Sequence, residues 1–299
     1  MQIIHSIDKI GEKKISLILY SLLNRIPIMI FGENEIDVDN YSAELCDLMH
    51  FRKELIYYTD FVSEIEYQNL CKNEEIDYNS QRIIIRCPSS VVLKALNNIK
   101  NFKSWVIGIE IQIKNQQKIK IIKKLMREKY FLFLSIMLIN NSISVQLEGD
   151  NSSDINLKLE RRILRKSSQD TENSIIRMKR ILSQKTNTTN IDDGTMISLL
   201  DFSIEKEEIQ KNIFKKEIQN FFSASKRAFF ILNRLNLLST LGLDATISGK
   251  ILLNTIDYQI APIERILSFI YYEWGEGFDP LLKNGKHVKI GDHLESLWG

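Results

Sequence analysis

Apolar residues recur along this chain in two alternating rhythms. Ile15, Ile18, Leu19, Leu22 and Leu23 fall at i, i+3, i+4, i+7 and i+8, which predicts an amphipathic helix over Glu12–Asn24. The run Ile26–Phe31 is apolar on both faces, as a central parallel strand reads when helices cover both sides. A helix over Asp39–Met49 follows, with Asp37, Asp39 or Asn40 able to cap it. Leu55–Thr59 is the next strand, Val62–Asn73 a helix, and Arg82–Arg86 a strand stopped by Cys87-Pro88. A helix starts at Ser89 or Ser90 and runs through Ile99, and Trp105–Ile111 is a fourth strand. This alternation predicts a three-layer α/β domain with a parallel sheet and right-handed crossovers.

Past Ile111 the rhythm changes. Gln116–Lys129 reads as a helix with Ile119, Ile122, Leu125 and Met126 on one side and lysines over much of the rest. Tyr130–Ile139 and Ser142–Glu148 read as two strands joined at Asn140-Asn141. Ile155–Leu164 alternates at first and then turns helix-like at RRILRK. Residues 152–154 and 167–170 read as exposed connections, Glu172–Gln184 as a basic helix, and KTNTTNIDDG over Lys185–Gly194 as a linker.

The C-terminal third is helical in pattern. Ile209, Ile213, Ile218, Phe221, Phe222, Phe229, Leu232 and Leu235 keep helical spacing, with Gly242 past their end. A shorter helix is expected over Ser248–Ile256. Pro262 opens another, whose apolar stripe is Ile263, Ile266, Leu267, Ile270, Tyr271 and Trp274. The expected layout is an α/β domain over 1–149 with a basic helix and hairpin appended. A basic connecting segment over 150–194 and a helical domain over 195–299 complete it.

Charge sharpens this layout. The whole chain carries a net +2, but residues 112–185 hold 16 basic and 7 acidic side chains, while both flanking segments are mildly acidic. Such asymmetry points to an anionic partner through the local field. Cys46, Cys71 and Cys87 make three cysteines with no CxxC pair, so a disulfide framework is not expected and a reducing cytoplasm is. No leader pattern opens the chain. Its longest apolar stretch, Tyr130–Ile139, is about half of the roughly 20 residues that a membrane span needs, so no span is expected.

The stretch IPIMIFGENEIDVD over Ile26–Asp39 organises the N-terminal half. A strand, a glycine and a helix start make the outline of a phosphate-binding turn. A P-loop then requires a second glycine, a lysine and a Ser or Thr. Aligned on Gly32, those positions hold Asp37, Val38 and Asp39, and Glu33 and Glu35 add two more carboxylates. Carboxylates repel a triphosphate by about 1 kcal/mol per unit pair at 4 Å in bulk water, and by more where water is excluded. Nucleotide binding at this loop is therefore expected to be lost. The topology resembles that of P-loop NTPases and Rossmann-like domains. The run FGENEIDVDNYSAEL, with the basic helix IKIIKKLMREK, resembles the start of the bacterial clamp-loader delta subunit. That resemblance implies a P-loop-like domain with no working nucleotide site and a helical C-terminal domain.

Three functional readings follow. The first is a non-catalytic scaffold or adaptor acting through protein contacts, with no cofactor; Ile263–Trp274 and Leu294–Trp298 are its candidate docking segments, with burial in the core as their default reading. The second is DNA or RNA binding by the basic segment 114–180, in a replication, repair or defence assembly. Lys118, Lys120, Lys123, Lys124, Arg127, Arg161, Arg162 and Arg165 are its candidate phosphate contacts. The third is a Mg²⁺-dependent enzyme using Glu33, Asp60 and Glu110, carboxylates at the strand ends where α/β sheets bind ligands. His287, Asp292 and His293 lack a fourth partner for a zinc site, and no nucleophile–histidine constellation is present in the pattern.

Overall fold

The computed structural model describes residues 11–57, 82–98, 105–112, 115–129, 132–139, 142–149, 155–186, 195, 200–202, 205–243 and 245–282. The elements are α1 (Glu12–Leu23), β1 (Ile28–Gly32), α2 (Glu35–Leu48), β2 (Arg52–Ile56), β3 (Arg82–Cys87), α3 (Val92–Asn98) and β4 (Trp105–Glu110). After these come α4 (Gln116–Lys129), β5 (Leu132–Ile139), β6 (Ser142–Gly149), α5 (Lys158–Thr186), α6 (Glu205–Thr240), α7 (Gly249–Thr255) and α8 (Ile263–Trp274).

The protein is α/β, with one six-stranded sheet in the order β2-β3-β4-β1-β5-β6. β1 lies between β4 and β5 and is parallel to both; β6 alone runs antiparallel, on β5. The two strands expected as an appended hairpin thus extend the main sheet, and β1 is central. This placement explains its composition. Ile28, Met29, Ile30 and Phe31 are all fully buried, because both faces of a central strand are covered.

The period of two along the strands divides the core. Met29, Phe31, Ile107 and Ile109 face one layer, made by α3 and α4 through Ala95, Ile119, Ile122 and Met126. Ile28, Ile30, Val106, Leu134 and Ile136 face the other, where α1 and α2 lie. The same apolar cluster continues without a break into Leu159 and Ile163 of α5, Phe221 and Phe229 of α6, and Phe269 of α8. Phe229 stacks on Trp274 at 4.9 Å and Phe51 on Phe222 at 4.2 Å, joining α6 to α8 and to the loop before β2.

Ions fasten these layers as well. Glu273 of α8 is fully buried and meets Arg52 of β2 at 2.7 Å and Arg25 at 3.2 Å. Arg52 also donates to the carbonyls of Leu22 and Leu23, which close α1. Burial alone would raise the Glu273 carboxyl, but Arg25 and Arg52 hold it well below its ordinary value, at about 2. A second buried carboxylate, Glu160 of α5, pairs with Arg265 of α8, which also donates to Asn24 at 3.0 Å.

Several expected boundaries are corrected. α2 starts at Glu35, not Asp39, because the Asn34 side chain caps it. β2 spans Arg52–Ile56, three residues before the expected strand, on the sheet edge beside β3. α5 is one helix of 29 residues. Residues 167–170 do not break it, since Thr171 returns its hydroxyl to the Ser167 carbonyl at 2.8 Å and both are buried. α8 ends as expected, at Gly275 with φ 77, a left-handed conformation that glycine adopts without strain. The stripe over Ile263–Trp274 turns Ile266, Ile270 and Trp274 into the core and leaves Tyr271 exposed. The helix expected over Val62–Asn73, the turn at Asn140-Asn141, most of the linker and Leu294–Trp298 lie outside the described residues.

Candidate functional site: the carboxyl edge of the sheet

In an open α/β sheet, ligands bind beyond the carboxyl ends of the strands. Here β1 ends at Gly32, paired in register with Glu110 at the end of β4. Only Glu33 and Asn34 separate Gly32 from α2. Asn34 has extended backbone angles, and its side chain accepts from the N–H groups of Ile36 at 2.9 Å and Asp37 at 3.3 Å. These are first-turn donors that a phosphate would otherwise use.

α2 packs closely on the face of the sheet near the ends of β1 and β4. Val38, at the aligned lysine position, is fully buried. A Cβ built on Gly32 would lie 2.6 Å from Val38 Cγ2, and one on Gly108 would lie 2.8 Å from Val38 Cγ1. Both glycines are therefore required by the close approach of α2 to the sheet. Asp39, at the aligned hydroxyl position, turns inward instead. Its Oδ1 accepts from the Ser89 N–H at 3.0 Å, and the Ser89 hydroxyl donates to Glu35 at 3.1 Å. Two carboxylates of α2 thus reach the start of the short helical segment after β3, Asp39 at its first N–H and Glu35 at the Ser89 hydroxyl.

For the third reading, Glu33 and Glu110 are exposed at neighbouring strand ends, while Asp60 lies outside the described residues. Among the described residues no group of three or more His, Cys, Asp or Glu is arranged to hold a metal ion. His287, Asp292 and His293 also lie outside them, as does Cys71. Burial pushes the Cys46 and Cys87 thiols up, so both behave as small core residues rather than nucleophiles.

The basic candidates divide into two sets. Lys123 and Arg127 of α4 both reach Glu148 of β6, Lys123 at 2.7 Å. Burial would raise the Glu148 carboxyl, but hydrogen bonds from Lys123 and Arg127 hold it below its ordinary value. Arg165 pairs with Glu12 at 2.9 Å, and Arg162 donates to the Ile260 carbonyl at 2.9 Å. These four tie elements together. Lys118, Lys120, Lys124 and Arg161 are exposed and meet no carboxylate among the described residues.

Sequence reasoning missed the Asn34 cap, the Asp39–Ser89 link, Gly108 and Glu148. The Asn34 cap carried a local signal: an Asn followed by an acidic first turn. The others join residues far apart in the chain and carried none. No family model matches the chain, and no curated protein or solved structure is detectably similar to it. No described helix is long and apolar enough to cross a membrane.

Proposed function

We propose that this chain is a non-catalytic scaffold or adaptor, built on a P-loop-like sheet that no longer takes a nucleotide and acting through protein contacts. One observation carries the reading: only Glu33 and Asn34 lie between Gly32 and α2, too few for a loop that cradles phosphates, and α2 is held down on the sheet by the close approach of Val38 to Gly32 and Gly108. Two further features support it. Asn34 consumes first-turn N–H groups of α2, and Asp39 consumes the Ser89 N–H across the same edge. A nucleotide would have to displace two caps and then tolerate the exposed Glu33 and Asp37. Titration of a fluorescent ATP analogue with Mg²⁺ tests this. The expected result is no saturable signal into the millimolar range; saturable binding that unlabelled ATP competes away would overturn it.

A second reading, nucleic-acid binding, is favoured by one observation. Lys118, Lys120 and Lys124 lie exposed on a single helix, α4. On that reading, duplex DNA or RNA binds with a log–log salt slope of about −3 for three phosphate contacts. Lys124→Glu then weakens it. Binding that is absent at low salt removes this alternative.

A further inference from the structure

The C-terminal half of α6 carries a second apolar face beside the one it buries. Ala228, Phe229, Leu232 and Leu235 are buried in the core. Phe230, Arg234, Leu237 and Leu241 follow one another at spacings of four, three and four residues, so they form one line along the helix surface. Phe230 is 42%, Leu237 54% and Leu241 70% exposed, and Leu243, just past the helix, is 57% exposed. From Phe230 to Leu241 the line runs about 16 Å at 1.5 Å per residue. Scattered surface leucines need no explanation, but three large exposed apolar side chains aligned on one helix face, interrupted only by Arg234, make a contact surface.

Charge identifies the occupant. Arg234 lies within the line, and Lys226 Nζ sits 5.9 Å from the Phe230 ring centre. Between Glu217 and Asp244 the sequence holds no acidic residue at all. A second copy of the same stripe would bring Arg234 against like charge, which opposes self-pairing. An acidic amphipathic helix satisfies both features. Its apolar side chains would cover Phe230, Leu237 and Leu241, and its carboxylates would meet Arg234 and Lys226.

We infer that the exposed face of α6 over Phe230–Leu241 docks an acidic amphipathic helix of a partner protein. This rests on the scaffold reading above, yet the two fail separately. Nucleotide bound at Gly32 would overturn that reading without changing what is expected of the stripe.

The test uses the full chain and two labelled synthetic helical peptides. Both carry leucines at i, i+3, i+4 and i+7; one is flanked by glutamates and the other by lysines. Fluorescence anisotropy is expected to show saturable binding of the glutamate peptide, at least about tenfold tighter than the lysine peptide. Leu237→Asp and, separately, Leu241→Asp are expected to weaken it at least about tenfold. Arg234→Glu is expected to reverse the preference between peptides. Because these side chains are exposed, circular dichroism should show each variant folded. No binding of either peptide, equal binding of both, or binding indifferent to both leucine variants would overturn the inference. So would a dimer in sedimentation that Leu237→Asp dissociates, since the occupant would then be a second copy.

Discussion

Val38 and Gly32 are packed so closely that a single methyl group cannot be added between them: a Cβ on Gly32 would stand 2.6 Å from Val38 Cγ2. This contact sets α2 on the face of the sheet at the last residue of the central strand, and it gives Gly32 a packing reason to lack a side chain. Gly32→Ala is therefore expected to destabilise the protein by about 1–3 kcal/mol, as overpacked core sites do. Gly108→Ala should cost at least as much, because its Cβ would also meet Asp39 Oδ1 at 2.9 Å. Urea unfolding of the two variants measures this. A change of only a few tenths of a kcal/mol would mean that α2 can move off the sheet and reopen the edge.

The Asn34 cap gives a smaller effect at the same place. Asn34→Ala leaves the N–H groups of Ile36 and Asp37 without their acceptor and is expected to cost about 1 kcal/mol. Asn34→Asp should recover most of that loss, since a carboxylate accepts the same bonds and suits the helix N-terminus. Equal losses in both variants would show that the cap does not hold α2 in place.

Glu273 ties α8 to the sheet through Arg25 and Arg52. Glu273→Gln removes the carboxylate that these two buried guanidinium groups share and is expected to cost about 3–5 kcal/mol at pH 7. The pH dependence follows from the direction of its shift. The folded-state carboxyl sits at about 2, below its ordinary 4.5. Its stabilisation is therefore full above pH 4.5 and is lost as pH falls toward 2. That difference corresponds to about 3 kcal/mol. The gap in unfolding free energy between wild type and Glu273→Gln should shrink across that window. A constant gap from neutral pH down to pH 2 would contradict the assignment.

Much of this architecture was legible locally, and the unread parts share a cause. Strand β1 and helices α1 and α4 were readable because burial on both faces, or on one stripe, leaves a periodic mark. β2 is an edge strand whose exposed Lys53 and Glu54 mask its pattern, so the sequence points to a strand three residues later. α5 reads as interrupted in sequence because Ser167 and Asp170 look like loop residues, although their carbonyls accept from the hydroxyls of Thr171 and Ser174 within one helix. The Glu273 cluster joins residues more than 200 positions apart, and no periodicity encodes such a pair. At the candidate site the carboxylates were visible in sequence, whereas the inward turn of Asp39 toward Ser89 depends on where β3 lies.

Two neighbouring lysines on different faces of the basic helix α4 should respond differently to mutation. Lys123→Glu sets a carboxylate against the buried Glu148 and is expected to destabilise by about 1–3 kcal/mol. Lys124→Glu changes an exposed side chain and should stay within about 0.5 kcal/mol. Denaturant midpoints at equal m-value decide this. A Lys124→Glu variant as unstable as Lys123→Glu would show that the whole basic face is structural.

Thermal unfolding with and without nucleotide bears most directly on the central claim. A ligand at a hundred times its dissociation constant stabilises by about 2.7 kcal/mol, which shifts the midpoint by several degrees. With millimolar ATP–Mg²⁺ or GTP–Mg²⁺ the midpoint is expected to stay where it is with Mg²⁺ alone. A rise of several degrees that Val38→Lys enhances would show an open phosphate site at Gly32, and would contradict the closed edge on which the scaffold reading stands.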